Sequence, residues 1–352
     1  MKRPAGTLRE GYTTGSAVSA AAVAAFRQCS DPVELLLPGN KKKVIPVKSQ
    51  SGSCAVVVKD GGDDPDVTTG MELRVELTPF EGVSESSDYE ESGEGLALVI
   101  RGGEGIGLVT RPGLAVPVGK DAINPMPRKM LLQNLLASGC RGRYLVKITA
   151  PEGEQRAQET LNPTLGIVGG ISILGNSGIV HPYSNAAYAA TIALQLRSLA
   201  AEGVKRAAVT TGSRSETAVK RDFPELPENA VIRIGDFIHH SLTCAAKNGM
   251  AEIIVGCMPG KLFKYACGEQ NTHAHQSKLT PSRLREFGIE LPGVDLEKID
   301  TMGELAANLS PEVFQTVLEK LYPIAKKQLQ NWADESSVTL VLYDDTGKKL
   351  IG

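Results

Sequence analysis

Residues 102–128 read Gly-Gly-Glu-Gly-Ile-Gly-Leu-Val-Thr-Arg-Pro-Gly-Leu-Ala-Val-Pro-Val-Gly-Lys-Asp-Ala-Ile-Asn-Pro-Met-Pro-Arg. Such a run can form neither a helix nor the middle of a sheet. Over 102–127 it holds six glycines and four prolines. Proline removes a backbone donor, and glycine loses more conformational freedom on ordering than any other residue. A strand-like run at 96–101 enters the stretch and a helical pattern at 127–138 leaves it. A loop this long inside a compact domain is uncommon and often functional. Glu104, Thr110, Arg111, Lys120, Asp121, Asn124 and Arg128 are its candidate ligand contacts. The plainer alternative is a stiff connector crossing a sheet.

The chain before this loop mixes strand-like runs at 33–37, 43–47, 55–59 and 72–77 with a helix at 17–29. Thr13, Thr14 and Ser16 precede that helix and are all suitable N-caps. With Gly11 and Gly15 they would also make an anion cradle, because free N–H groups point outward at a helix start. Asp60, Asp63, Asp64 and Asp66 crowd four carboxylates into seven residues. Their spacing does not match a calcium-binding EF-hand loop. Crowded carboxylates attract perturbed ionisation and sites, which makes Asp63, Asp64 and Asp66 catalytic candidates. The alternative is an acidic turn in which Pro65 fixes φ and Asp64 caps the backbone. Residues 81–95 carry six acidic side chains and almost no apolar ones, which predicts a solvated loop without function. A strand at 143–149 closes this half, which reads as α+β.

A second glycine-rich stretch, 166–184, offers Asn176, Ser177 and His181 as polar groups before a helix at 185–202. From 203 the pattern changes to βα alternation. Apolar runs at 206–211, 231–234 and 252–255 each end in glycine or aspartate, as in an open parallel sheet. Such sheets bind ligands beyond the carboxyl ends of their strands. Gly212, Ser213, Asp236, Gly256 and Gly260 are therefore candidate cofactor contacts. The 256–262 loop is not a phosphate-binding Walker motif, because only three residues separate its glycines and Leu262 follows Lys261. A long helix at 314–333 and a terminal hairpin, 338–343 with 348–351, are expected to complete the sheet at its edge. The resulting expectation is an α+β domain over 1–160 and a Rossmann-like α/β domain, with a mostly parallel sheet, over 161–352.

At 352 residues the chain has room for two domains, and a net charge of -2 argues against a nucleic-acid partner. The six cysteines are scattered without a C-x-x-C pair, which favours free thiols in the cytoplasm. Lys2 and Arg3 before an alanine-rich run faintly copy a signal peptide, but Arg9, Glu10 and the polar 11–16 segment interrupt it. No apolar stretch is long enough for a membrane span. His273 and His275 lack a third ligand at familiar spacing, so no protein-bound metal is expected.

Several stretches together resemble one family. They are Leu8-Arg9-Glu10-Gly11-Tyr12-Thr13-Thr14-Gly15, the aspartate loop 60–68, the 102–128 loop, the 166–184 stretch, and Pro259-Gly260-Lys261-Leu262 with Thr272-His273. The chain is similar to the cobalt-precorrin-5B C1-methyltransferases of anaerobic cobalamin biosynthesis, from residue 8 to its end. It departs at His275, where a serine-rich continuation is expected, and in the acidic insert. The resemblance implies methyl transfer from S-adenosylmethionine to carbon 1 of the corrin ring, giving cobalt-precorrin-6A. It also implies that cobalt arrives with the substrate. The substrate is rich in carboxylates, so cationic and polar residues would clamp it. Thr13, Thr14, Ser16, Glu104, Thr110, Arg111, Asn124, Arg128, Asn176, Ser177, His181, Lys261 and His273 are the positions that would line it. Oligomeric state stays open, with a homo-oligomer compatible. Two rivals remain from the residues alone: a tetrapyrrole-binding protein without catalysis, and a phosphate- or nucleotide-binding kinase-like enzyme.

Overall fold

A computed structural model describes residues 7–273 and 280–352. His275, Lys2 and Arg3 lie outside the described residues. The fold is mixed α/β, with both parallel and antiparallel pairing. Contacts divide the chain into two compact units, Met1–Ser184 and Asn185–Gly352. The sequence expectation put residues 161–184 with the second half. They group with the first, because Ile167–Val168 pairs with Leu108–Val109 and Ile179–Val180 pairs with Gly11–Tyr12.

The first unit is built on a six-stranded sheet. Its order is Ser49–Ser51, Cys54–Val58, Glu72–Pro79, Gly142–Thr149, Leu96–Gly102 and Tyr89–Gly93. Only Gly142–Thr149 against Leu96–Gly102 is a parallel pair. The strands alternate buried and exposed residues where one face meets the core, as in Glu72–Pro79. Helix Thr14–Arg27 packs on Cys54–Val58 and Glu72–Pro79, and also against helix Pro125–Ala137. It is apolar or small all round, and its residues from Thr14 to Ala25 are buried. Such a helix belongs inside a core, and its alanines let its neighbours approach closely.

Residues 81–95 are not the free solvated loop their composition predicts. Tyr89–Gly93 is a strand paired antiparallel with Leu96–Gly102. Asp88 is buried and takes two hydrogen bonds from Arg101, at 2.8 and 2.7 Å. Glu85 also pairs with Arg101, Glu91 with Arg128 and Glu90 with Arg143. The acidic charge is answered by arginines from the neighbouring strands and helix.

The second unit holds a five-stranded sheet in the order Val231–Arg233, Arg206–Thr210, Glu252–Cys257, Ser337–Tyr343 and Lys349–Ile351. The first four are parallel and the last is antiparallel. The expected terminal hairpin is present and completes the sheet at its edge: Lys349–Ile351 is the edge strand, which leaves its partner Ser337–Tyr343 interior, against Glu252–Cys257. The last four residues of Ser337–Tyr343 are all buried, so both faces are covered. Helix Ser213–Asp222 covers one face through Ala218 and Val219. Helices Asn185–Ala201, Ile238–Lys247, Pro259–Ala266 and Pro311–Trp332 share the larger core on the other.

Candidate functional site

Each unit gathers the sequence-marked residues of its own half. In the first unit three motifs interlock through backbone contact. A Cβ on Gly11 would lie 2.2 Å from the Gly61 carbonyl carbon, and one on Gly62 would lie 2.1 Å from the Arg9 oxygen. Tyr12 N–H donates to the Asp60 carbonyl at 2.8 Å, and Asp63 N–H to that of Arg9 at 3.0 Å. The aspartate loop is thus sewn to the segment before the buried helix.

Each carboxylate of that loop has a partner. Arg9 grips Asp60 with both terminal guanidinium nitrogens, and this hydrogen bonding holds the Asp60 carboxyl below its ordinary range. Asp63 accepts from the Arg9 backbone N–H at 2.7 Å. Asp64 accepts from the Tyr183 N–H at 2.9 Å, which ties the loop to the end of the second glycine-rich stretch. Asp66 takes the Lys59 ammonium at 2.9 Å on one oxygen and the Thr68 hydroxyl and N–H on the other. Burial works to raise the Asp66 carboxyl, but Lys59 and Thr68 outweigh it and the net shift is downward. The Lys59 side chain is 1% exposed, so this ion pair is internal. The turn is capped by Asp60 on Gly62 and Asp66 on Thr68, not by Asp64. Of the catalytic candidates, Asp63 is exposed and Asp64 partly so, while Asp66 is committed to Lys59.

Thr13, Thr14 and Ser16 are buried, and their hydroxyls are spent inside the protein. Thr13 caps the helix by accepting from Ser16 N–H at 3.2 Å. Thr14 bonds to Leu174 through both its carbonyl and its N–H, and Ser16 donates to the Gly178 carbonyl at 2.7 Å. Gly15 N–H donates to the Leu174 carbonyl at 3.0 Å. The expected anion cradle is filled by the protein's own second glycine-rich stretch.

The 102–128 loop is woven along that same stretch. Gly107 N–H donates to Ile171, Ile171 N–H to Gly105, Ala122 N–H to Gly107 and Asn124 N–H to Ile173. These bonds stiffen the loop and leave some side chains on its surface. Glu104 is exposed. Thr110 is exposed too, but its hydroxyl donates to the Gly166 carbonyl at 2.7 Å. The Arg111 stem packs over Gly166, whose φ of +70° and crowded Cβ position both demand glycine. Arg128 stacks on the Tyr89 ring, 4.0 Å from its centroid, and donates to Glu91 at 2.7 Å. It is an internal strut more than an open clamp. Asn124 precedes helix Pro125–Ala137 without a side-chain capping bond. Asn176 is exposed, Ser177 closes a local turn on Ile179, and His181 meets Glu10 at 2.8 Å. Sequence inspection missed a neighbouring feature. Leu108 and Val168 face each other across the short ribbon and stay 38% and 50% exposed.

In the second unit the strand order reverses direction at Arg206–Thr210, which lies between Val231–Arg233 and Glu252–Cys257. Crevices beyond the carboxyl ends at such a switch point are the ligand sites of open α/β sheets. Gly212–Ser213 leaves the first strand there and Pro259–Gly260 leaves the third. Cβ atoms on Gly212 and Gly260 would meet nothing within 4 Å. Gly256 is different: its Cβ would sit 2.4 Å from a Val219 methyl, so it is glycine for packing. Asp236 accepts on Oδ1 from Lys261 and from the Thr272 hydroxyl, the latter at 2.8 Å. Burial would raise the Asp236 carboxyl, but hydrogen bonds from Lys261 and Thr272, with help from the nearby His273, hold it below its usual range. Lys261, expected on an anionic substrate, is thus bound to Asp236 within the second unit.

The family model described as CbiD matches residues 1–182. A cobalt-precorrin-5B C(1)-methyltransferase of Nitratidesulfovibrio vulgaris is 37% identical, over 99% of this chain and 93% of that protein. The chain belongs to the CbiD family. A second relative, the cobalt-precorrin-5B C(1)-methyltransferase of Geotalea daltonii, is 41% identical over 95% of this chain and 96% of its own length. Among solved structures, the cobalamin biosynthesis protein of Archaeoglobus fulgidus is 27% identical, covering 77% of this chain and 85% of that one, with a TM-score of 0.42. In this CbiD chain all six cysteines are free. Among the described residues no helix is long and apolar enough to cross a membrane. Among them, too, no group of three His, Cys, Asp or Glu side chains could hold a metal ion.

Proposed function

We propose that this chain is a cytoplasmic cobalt-precorrin-5B C1-methyltransferase that forms cobalt-precorrin-6A. The observation that carries this is similarity over 99% of the chain to a relative named for that activity. The cobalt travels in the substrate. S-adenosylmethionine would supply an electrophilic methyl group on a sulfonium that is already a good leaving group. The protein's task is then placement, which for well-oriented reactants is worth roughly 7–11 kcal/mol.

We assign the donor to the second unit, as a Rossmann-like domain, at Gly212, Ser213, Gly260 and Asp236. Two open glycines and a carboxylate with one unpartnered oxygen among the described residues fit a nucleoside with ribose hydroxyls. Gly256 supports this edge from behind. We assign the corrin to the first unit, over the exposed Leu108–Val168 pair, with Glu104, Thr110, Arg111 and Asn176 around it. Exposed apolar side chains suit a large flat ring, and Arg111 suits its carboxylates. Asp63 and Asp64 are the site carboxylates of that unit. Asp66, Thr13, Thr14, Ser16, Arg128, Ser177 and His181 hold the surfaces in place.

Anaerobic incubation with cobalt-precorrin-5B and isotope-labelled S-adenosylmethionine tests the activity. The expected product is a corrinoid heavier by one labelled methyl group. Tight corrinoid binding with no label transferred would instead leave a carrier protein.

A further inference from the structure

Tyr188 plays no part in the assignments above, yet it stands beside the proposed donor edge. It lies in the first turn of helix Asn185–Ala201 and is 38% exposed. A free surface tyrosine would wave in solvent, but this ring is fixed at both ends. Its hydroxyl donates to the Arg233 carbonyl at 3.0 Å, at the end of strand Val231–Arg233. Its ring tilts 37° against Phe237 with centroids 5.5 Å apart. Gly235, at φ +55°, passes along the ring edge, and a Cβ there would lie 3.6 Å from it. Asp236 is the next residue.

An immobilised, part-exposed aromatic ring next to a carboxylate is a recognition pair for a nucleoside. The ring offers a face for the base, and the carboxylate accepts from the ribose hydroxyls. The carboxylate is itself aimed. Thr272 is 1% exposed and, with Lys261, occupies Asp236 Oδ1, leaving Oδ2 without a partner among the described residues.

We propose that Tyr188 is the platform for the adenine of the methyl donor, and that Thr272 and Lys261 position Asp236 to take its ribose hydroxyls. This rests on the donor assignment of the preceding subsection. It adds the base-recognition residue and two positioning residues.

The test is calorimetry on the full chain with S-adenosylhomocysteine, with 5′-methylthioadenosine, and with the 2′,3′-dideoxy form of the latter. Binding of S-adenosylhomocysteine by the wild-type protein checks the donor assignment itself, and its absence ends both ideas. Given that binding, Tyr188→Ala is expected to weaken both adenosyl ligands roughly 5- to 150-fold, the range for losing one base–aromatic stack. Tyr188→Phe keeps the ring and is expected to stay within about threefold, below the loss of a typical hydrogen bond. Unchanged affinity in Tyr188→Ala overturns the platform. Tyr188→Trp gives a second readout: its fluorescence should change saturably with 5′-methylthioadenosine, and a flat signal while the ligand binds also overturns it. Thr272→Val is expected to weaken 5′-methylthioadenosine but not its dideoxy form. Equal loss for both forms means a merely structural role and removes the positioning claim.

Discussion

The two units use glycine in opposite ways. In the first, the glycines of the two long glycine-rich stretches include ones that mark places where backbones cross. Gly105, Gly153 and Gly170 meet at one point: a Cβ on Gly105 would lie 1.8 Å from the Ala150 oxygen, one on Gly153 2.1 Å from the Gly105 oxygen, and one on Gly170 2.2 Å from the Gly105 carbonyl carbon. In the second unit, Gly212 and Gly260 face open space, and neither has a left-handed φ. Glycine-rich sequence looks the same in both. Only the first kind is required by the chain's own packing. The second kind costs helix and backbone stability with no steric return inside the protein, which is what room for a ligand requires.

The comparison breaks most sharply at Gly105. A Gly105→Ala variant places a methyl inside van der Waals contact with backbone that cannot yield, at a φ of +73°. It should cost more than about 4 kcal/mol or prevent folding, the range reached only by severe structural faults. A near-normal urea midpoint for the variant would show that the crossing is looser than described.

Next comes the buried ion pair that anchors the aspartate loop. Asp66→Ala leaves the Lys59 ammonium without its carboxylate, and stranding a buried charge costs roughly 3–5 kcal/mol. The double change Lys59→Met with Asp66→Leu should recover much of that, because the desolvation cost goes with the pair. The sign with pH follows from the lowered Asp66 carboxyl. Its stabilisation is full above the ordinary value of about 3.9 and is lost as pH falls through the folded value. Acid titration of the urea midpoint should therefore fall less steeply in the double variant. Identical acid limbs would mean that Asp66 is not the group being titrated.

Gly256 sharpens the comparison from the other side, since it lies in the open unit but is closed by packing. Gly256→Ala should cost about 1–3 kcal/mol through overpacking against Val219. Adding Val219→Ala should remove most of the penalty. A penalty that persists in the double variant would point to the strand backbone as its source.

Much of this architecture was legible before any coordinates. The parallel strands announced themselves as apolar runs ending in glycine or aspartate, and the switch to βα alternation marked the second unit. What was not legible depended on partners far away in sequence. The acidic run at 81–95 looked solvated because composition cannot show that Arg101 on the paired strand and Arg128 on a neighbouring helix face it. The terminal hairpin could be read from its turn residues, but not that its first strand, Ser337–Tyr343, pairs in parallel with Glu252–Cys257 from another part of the chain. The hydroxyls of Thr14 and Ser16 looked available because the stretch that consumes them lies about 160 residues on, while Thr13 makes the local cap that its position offered. Tyr188 gave no signal at all: a single aromatic in an alanine-rich helix is ordinary until its hydroxyl is seen on Arg233.

The smallest expected effect on stability is at the two open glycines. Gly212 precedes helix Ser213–Asp222 as its N-cap at φ −175°, which is extended backbone that any residue adopts. Serine is a better cap than glycine, so Gly212→Ser should leave stability unchanged or raise it by a few tenths of a kcal/mol. Gly260 lies in the first turn of helix Pro259–Ala266, where alanine gains up to about 1 kcal/mol in helix propensity. Both variants should therefore hold or improve the ligand-free urea midpoint. Both should also bind S-adenosylhomocysteine about tenfold more weakly, a loss of about 1.4 kcal/mol, because the added atoms occupy the approach to the strand ends. Stability and affinity would then move in opposite directions at the same residue, which no packing role predicts. If affinity is untouched while the midpoint rises, Gly212 and Gly260 are merely unoptimised turn residues, and the donor must be sought elsewhere.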